Sequence, residues 1–432
     1  MYFKLTRQII KESIFLITAL FAIPIYFFSE AGINTFYIMI PLIFIMQAYL
    51  CRALRNISVF LLLTIYAFIY FIYLIPYFYF GTQLSMWSEF QDKKLYILVC
   101  LQFYVFYSAL CLSIIKMPNP GKYWLKSGLE LNVSRPISIM IVLFTTIVIL
   151  YLFKFGGENV LNSNNPYRAY VGNLEKSNVL GLLVLMFIVF CYFSIKNHRK
   201  RDFIVIIFSC AIAYFAITRG FRVMLAPLGF MFILLFLEQK LTVKSILILA
   251  FLGLAGLSFI NALKMNEEFS LMYIFSTDDS FILSHQADEL YGAAAANGLM
   301  KSGEITTWDR IGLQMSLIAQ SVIPPSFFPR EMRFPMVIMT HTGTGGGGLF
   351  VSGITLIFGY VGLFIITFLI AKMIQMSYSC KSKYLKLIVF FILMYSPNWF
   401  SYDLNVILRF PLIAITLYFL LSHIKNKSYK IA

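Results

Sequence analysis

The chain is 432 residues long, 60% hydrophobic and only 12% charged, with a mean hydropathy of +0.81. Soluble chains carry about 25% charged residues, so this composition excludes a water-soluble domain and indicates an all-α polytopic membrane protein. The net charge of +16 would suit nucleic acid, but its distribution along the chain assigns it to membrane orientation, and no nucleic-acid partner is expected.

Lys4, Arg7 and Lys11 precede the first apolar run in the manner of a signal peptide. No small-residue cleavage site follows and Pro24 interrupts the run, so it reads as a retained first helix. Twelve spans are expected. The first six run roughly Ser13–Phe28, Phe36–Leu50, Ile57–Phe80, Leu95–Ile115, Pro136–Phe153 and Val179–Ile195. The others are Phe203–Ile217, Val223–Leu237, Ser245–Leu263, Leu349–Ala371, Tyr384–Phe400 and Val406–Ser422. With the N-terminus inside, the inner segments hold 22 of the 35 Lys and Arg residues. They hold only Glu12, Glu130, Asp202 and Glu238 among the acids. Every inner loop is then net basic, as the positive-inside rule requires, and both termini are cytoplasmic.

Residues 1–263 carry the first nine spans and 349–432 the last three, within one membrane domain. The extra mass is outside: a medium loop, Lys154 to Asn178, and a large one, Lys264 to Gly348. In the large loop, Asp278 to Ala296 reads as a helix stopped by Asn297-Gly298. Trp308 to Val322 reads as a second, amphipathic helix stopped by Pro324-Pro325. This loop is a candidate lid or substrate platform. None of the six cysteines lies in an outer loop, so no disulfide framework is expected. No internal repeat is visible and ionisable residues are nearly absent within the spans, which argues against a coupled transporter.

The outer face instead collects arginines, where the positive-inside rule makes them scarce. Thr218-Arg219-Gly220-Phe221-Arg222 joins two spans with two arginines and no acid. A guanidinium pair there suits an anionic group, phosphate above all. Snorkelling side chains that anchor two helix ends are the plainer alternative. Arg409 lies just inside the last span, facing an anion or paired with Asp403. Arg168 sits among Asn165, Tyr167 and Tyr170 in the medium loop, beside residues that suit a sugar. Arg310, Arg330 and Arg333 read as solvated loop charges. Before the tenth span, His341-Thr342-Gly343-Thr344-Gly345-Gly346-Gly347-Gly348 offers a histidine and a glycine run. Gly345 and Gly346 could expose N–H groups as an anion cradle, or serve as a hinge. His285 and Glu289, four residues apart, fit a solvated acidic helix face better than a metal pair, although a carboxylate there could also act as a general base. No metal or other cofactor is expected.

This layout resembles the Wzy-type O-antigen (oligosaccharide repeat-unit) polymerases of bacterial inner membranes and the related O-antigen ligases. The residues carrying the resemblance are Thr218-Arg219-Gly220, at an outer helix turn, and His341-Thr342-Gly343, at the end of the large loop. After His341 the chain reads Thr342-Gly343-Thr344-Gly345 where a ligase typically has an Asn-Gly-type element, which leans toward polymerase. The resemblance implies metal-independent, inverting glycosyl transfer at the periplasmic face, on a glycan held by undecaprenyl diphosphate in the membrane lipid. It implies that Arg219 and Arg222 stabilise the departing diphosphate, with Arg409 and Arg168 on diphosphate or glycan and His341 on the acceptor. A chain-length regulator is a further partner the resemblance suggests. A flippase for the same lipid-linked unit would also use outer arginines, and a ligase would differ only in acceptor.

Overall fold

A computed structural model describes residues 13–14, 16–30, 35–81, 84, 90, 92–114, 125–131, 133–160, 166–219, 221–238, 241–265, 285–323, 327–329, 332–333, 337 and 348–428. Among them all regular structure is helical. In chain order the helices are α1 (Ala22–Glu30), α2 (Phe36–Ala53), α3 (Ser58–Ile72), α4 (Leu74–Phe80) and α5 (Lys93–Ile114). Next come α6 (Arg135–Phe155), α7 (Pro166–Ser194), α8 (His198–Arg219), α9 (Arg222–Phe232) with a π-helical end Ile233–Leu237, and α10 (Val243–Met265). Then follow α11 (His285–Ser302), α12 (Thr307–Gln320), α13 (Phe350–Ser379), α14 (Lys383–Met394), α15 (Ser396–Ser401) and α16 (Val406–Ser428).

Seven helical segments among the described residues are long and apolar enough to cross a membrane. Four shorter apolar ones accompany them: Leu16–Glu30, Leu180–Ser194, Val223–Leu237 and Val243–Gly253. These eleven segments coincide with eleven of the expected spans; the third of those is interrupted at Tyr73, and the expected span Tyr384–Phe400 is not among the eleven. The outward side of α6 is a continuous apolar strip of Ile139, Met140, Leu143, Phe144, Ile147 and Leu150, all exposed. Such a strip suits hydrocarbon and would be an aggregation face in water.

At the centre stands α5, almost wholly buried, with Tyr96, Phe103, Tyr104 and Tyr107 at zero exposure. It packs on α13, α2, α11 and α1. One end of the bundle is tied around Glu238. Tyr378 donates to its Oε1 at 2.6 Å and Ser58 Oγ to its carbonyl at 2.7 Å. Lys126 donates to the nearby Leu235 carbonyl, and Lys386 to that of Ser127 at 3.1 Å. Burial pushes the Glu238 carboxyl up to about 7, against the pull of Tyr378 and Lys126. This is the end that the charge pattern assigns to the cytoplasm.

Several expectations are corrected. The first loop helix neither ends at Asn297-Gly298 nor lies in solvent: α11 runs on to Ser302 and is buried. Ala293 to Ala296 carry so little side chain that α11 seats closely between α5 and α13. Gln102 donates to Asn297 Oδ1 at 2.8 Å, so the residue expected to stop the helix fastens it to α5. Glu289 is fully buried, whereas Asp288 keeps the exposed position expected of an acidic face. The stretch 278–284 lies outside the described residues. Arg168 is not in a loop: α7 begins at Pro166 and runs unbroken for 29 residues.

Helix α12 starts with a capping box between Thr306 and Asp309. It repairs a break in α13, where Gly359 adopts φ 74° and interrupts the helical ladder. The carbonyls this leaves over are met by Arg310 Nε on Leu356 at 2.7 Å and by Gln314 Nε2 on Ile357 at 2.8 Å. Arg310 is therefore a fixed structural donor, not a solvated charge. Arg333 likewise donates, to the Phe328 carbonyl at 2.7 Å. The eleventh expected span is also broken: α14 ends at Met394 and Pro397 opens α15. Trp399 Nε1 takes the Ile392 carbonyl at 2.8 Å, covering an acceptor the break would leave in an apolar core.

Candidate functional site

The arginine turn lies at the end of the bundle opposite Glu238. Helix α8 closes with Phe221 N–H on the Ala216 carbonyl at 2.7 Å, while Phe221 and Phe215 stack with centroids 5.8 Å apart. Gly220, between them in the chain, lies outside the described residues. Gly156 meets the Phe215 ring so closely that a Cβ would stand 2.5 Å from it, and Phe153 packs edge-on at 5.3 Å. Gly181 of α7 abuts Met224 in the same way. Asn398 of α15 donates to the Val223 carbonyl at 3.0 Å. The turn is thus fastened to α6, α7 and α15, and the backbone carrying both arginines is fixed.

Arg219 is half-buried, with its guanidinium carbon 6.0 Å from the Phe215 ring centroid. Glu158 and Tyr214 act on it electrostatically. Arg222 opens α9. Between the turn and the Glu238 end, α3, α8, α9 with its π-helical end, and α10 enclose a groove of about 720 Å³. Its wall is apolar almost throughout. It starts at Ile217 and Leu225, two and three residues from the arginines, and reaches Ile206 and Leu237. At 1.5 Å per helical residue this is about 16–18 Å, roughly half the hydrocarbon depth. The arginines follow the end of this groove in the chain, while Arg219 itself lies over Phe215, on the opposite face of α8 from the groove-lining Ala213 and Ile217; an apolar groove of this length suits a long apolar chain.

A second cluster holds α12 beside this end. Arg409 is buried and gives Nε and Nη2 to the Gln320 carbonyl, at 3.0 and 2.7 Å. A cation on the last carbonyl of a helix satisfies an orphan acceptor and meets the negative end of the dipole. Asn405 Nδ2 donates to Gln320 Oε1 at 2.9 Å, and Asp403 Oδ1 accepts from Asn405 N–H at 2.9 Å. Burial pushes the Asp403 carboxyl up, while Arg409 pulls it down. Arg409→Ala should lower stability by about 1–3 kcal/mol, because the Gln320 carbonyl keeps its burial and loses its donors. Thermal melting in detergent reads this, with Arg409→Lys intermediate because it lacks the fork.

The site residues expected from sequence therefore separate. Arg219 and Arg222 share one turn. Arg409 belongs to the cluster that seats α12. Arg168 stands on α7 thirteen residues before Gly181, about 20 Å along the helix from the level of Met224. His341, Gly345 and Gly346 lie outside the described residues. Among the described residues no three His, Cys, Asp or Glu side chains gather closely enough to hold a metal ion. Sequence reasoning overlooked Gln320, Asn398 and Asn405; the one signal was Pro397-Asn398, a proline and an amide inside an expected span. Comparison with known proteins finds no matching family model, curated protein or solved structure.

Proposed function

We propose that the protein polymerises undecaprenyl-diphosphate-linked oligosaccharide repeat units into O-antigen, or a related surface polysaccharide, at the periplasmic face of the bacterial inner membrane. In this reading twelve helical segments cross the membrane with both termini inside. The observation that supports it best is the arginine pair at the turn between α8 and α9, the two helices whose far faces wall the apolar groove. The groove takes isoprenoid chain and the arginines take diphosphate. The terminal hydroxyl of an incoming lipid-linked repeat attacks the anomeric carbon of the growing glycan, the C–O bond to the diphosphate breaks, and its electron pair leaves on the diphosphate. Preorganised guanidinium groups stabilise that charge as it develops. Arg409 keeps α12 in place beside the site, and His341 orients the acceptor.

Deleting the gene in its source organism and resolving the surface lipopolysaccharide on a gel tests this. Core carrying a single repeat is the expected result, since export and ligation continue while polymerisation is lost. Bare core overturns the reading, with polymer accumulating on the lipid carrier pointing to a ligase and repeats trapped inside pointing to a flippase.

A further inference from the structure

Helix α12 is turned the wrong way for a helix in water. An amphipathic helix on a soluble protein buries its apolar face and shows its polar one. In α12 the polar side chains point inward, beside Leu313 and Leu317. Arg310 and Gln314 hold the Leu356 and Ile357 carbonyls of α13. Gln320 bonds Asn405 and, by its carbonyl, Arg409 of α16. The outward side carries Trp308, Ile311, Met315 and Ile318, with Trp308 79% exposed. At 3.6 residues per turn these four share an arc of about 80°. Asp309 and Arg310, the charged residues of α12, are taken up by the capping box and by α13. Beyond the helix, Val322 and Phe327 are exposed as well. The same contacts fix the level of α12. On α13 the exposed apolar strip of Val361, Ile365 and Leu369 begins one turn beyond Ile357. On α16 it begins at Leu408, next to Arg409, and continues at Leu412. Such strips are where hydrocarbon meets the bundle. The first turn of α12 and its last residue are thus both tied to places where the lipid-facing surface starts, at the end away from Glu238.

We propose that α12 is an in-plane helix of the outer leaflet, with Trp308, Ile311, Met315 and Ile318 seated in lipid at the boundary of head groups and acyl chains. Interfacial helices lie this way, their apolar side about 5–10 Å into that boundary. Tryptophan suits the level, because its ring is apolar and its N–H is polar. A protein partner would be oriented by about one hydrogen bond per 100–200 Å² of interface. This face offers one strong donor, the indole N–H of Trp308, and no charge, which is all that lipid needs. The leaflet then holds the large loop at a fixed height, while the polar side of α12 is locked to α13 and α16. Lipid seating of α12 requires a membrane protein and no particular chemistry.

The test uses the full-length protein in lipid nanodiscs. Emission from Trp308 is the wild-type signal less that of Trp308→Phe, a change at an exposed position. It should be quenched more strongly by phospholipid brominated on its acyl chains than by iodide in the water. Met315→Cys should resist a charged maleimide, counted above the wild-type background, while Glu304→Cys in the exposed turn before α12 reacts. Stronger quenching by iodide overturns the proposal and leaves α12 in water. Quenching by neither also overturns it, and points to a second copy or another protein covering the face. If Trp308→Phe does not fold, Met315→Cys decides the matter: labelling as fast as Glu304→Cys overturns the lipid seat.

Discussion

Replacing Arg219 by alanine should slow polymer formation by about 10²- to 10³-fold, the cost of one preorganised donor at a developing anion. The geometry is what makes the effect large. Phe221 on Ala216, Gly156 on Phe215 and Asn398 on Val223 fix the turn, so little reorganisation opposes the guanidinium as charge builds. The competing view is that Arg219 merely closes α8 as a cation in the last turn. Alanine would then cost only about 0.3–1 kcal/mol of stability and leave turnover alone. The two views separate cleanly in a comparison of kcat and melting temperature. Arg219→Lys should fall between, because lysine keeps the charge and loses the fork that matches phosphate oxygens.

Filling the groove should act on binding. A Cβ at Gly253 or Gly256 meets nothing within 4 Å, and both residues are exposed on the groove wall of α10. The double change Gly253→Leu, Gly256→Leu therefore starts two side chains in open space on the groove wall. It also removes two helix-weakening glycines, each worth about 1 kcal/mol in a helix interior. The variant should melt no lower than wild type. Its KM for the long-chain lipid-linked repeat should rise at least about tenfold, since excluding two methylenes already costs more than the 1.4 kcal/mol that tenfold represents. A repeat unit on a short prenyl diphosphate should lose little. An equal loss for both carriers would place the isoprenoid chain elsewhere.

The spans and the arginine turn were legible in the sequence because each rests on a local property. Apolar length finds α5, α6 and α13, and a breach of the charge rule finds Arg219 and Arg222. What stayed hidden depends on partners distant in the chain. Arg409 looked like an anion ligand until Gln320, 89 positions away, took its donors. The sequence of α11 opens His285-Gln286-Ala287-Asp288-Glu289 and reads as a solvated surface. Its burial follows from the alanines after Gly292, whose small size permits close approach but leaves no apolar periodicity to detect. Arg310 looked solvated because the carbonyls it serves appear only when α13 breaks at Gly359.

The central claim is that this chain alone joins lipid-linked repeats. Purified wild-type protein in nanodiscs, given lipid-linked repeats extracted from the deletion strain, should convert them into a ladder of longer glycans still attached to lipid. Release of one lipid diphosphate should accompany each bond formed. Repeats that stay monomeric in the presence of folded protein, with no lipid diphosphate released, would contradict the account.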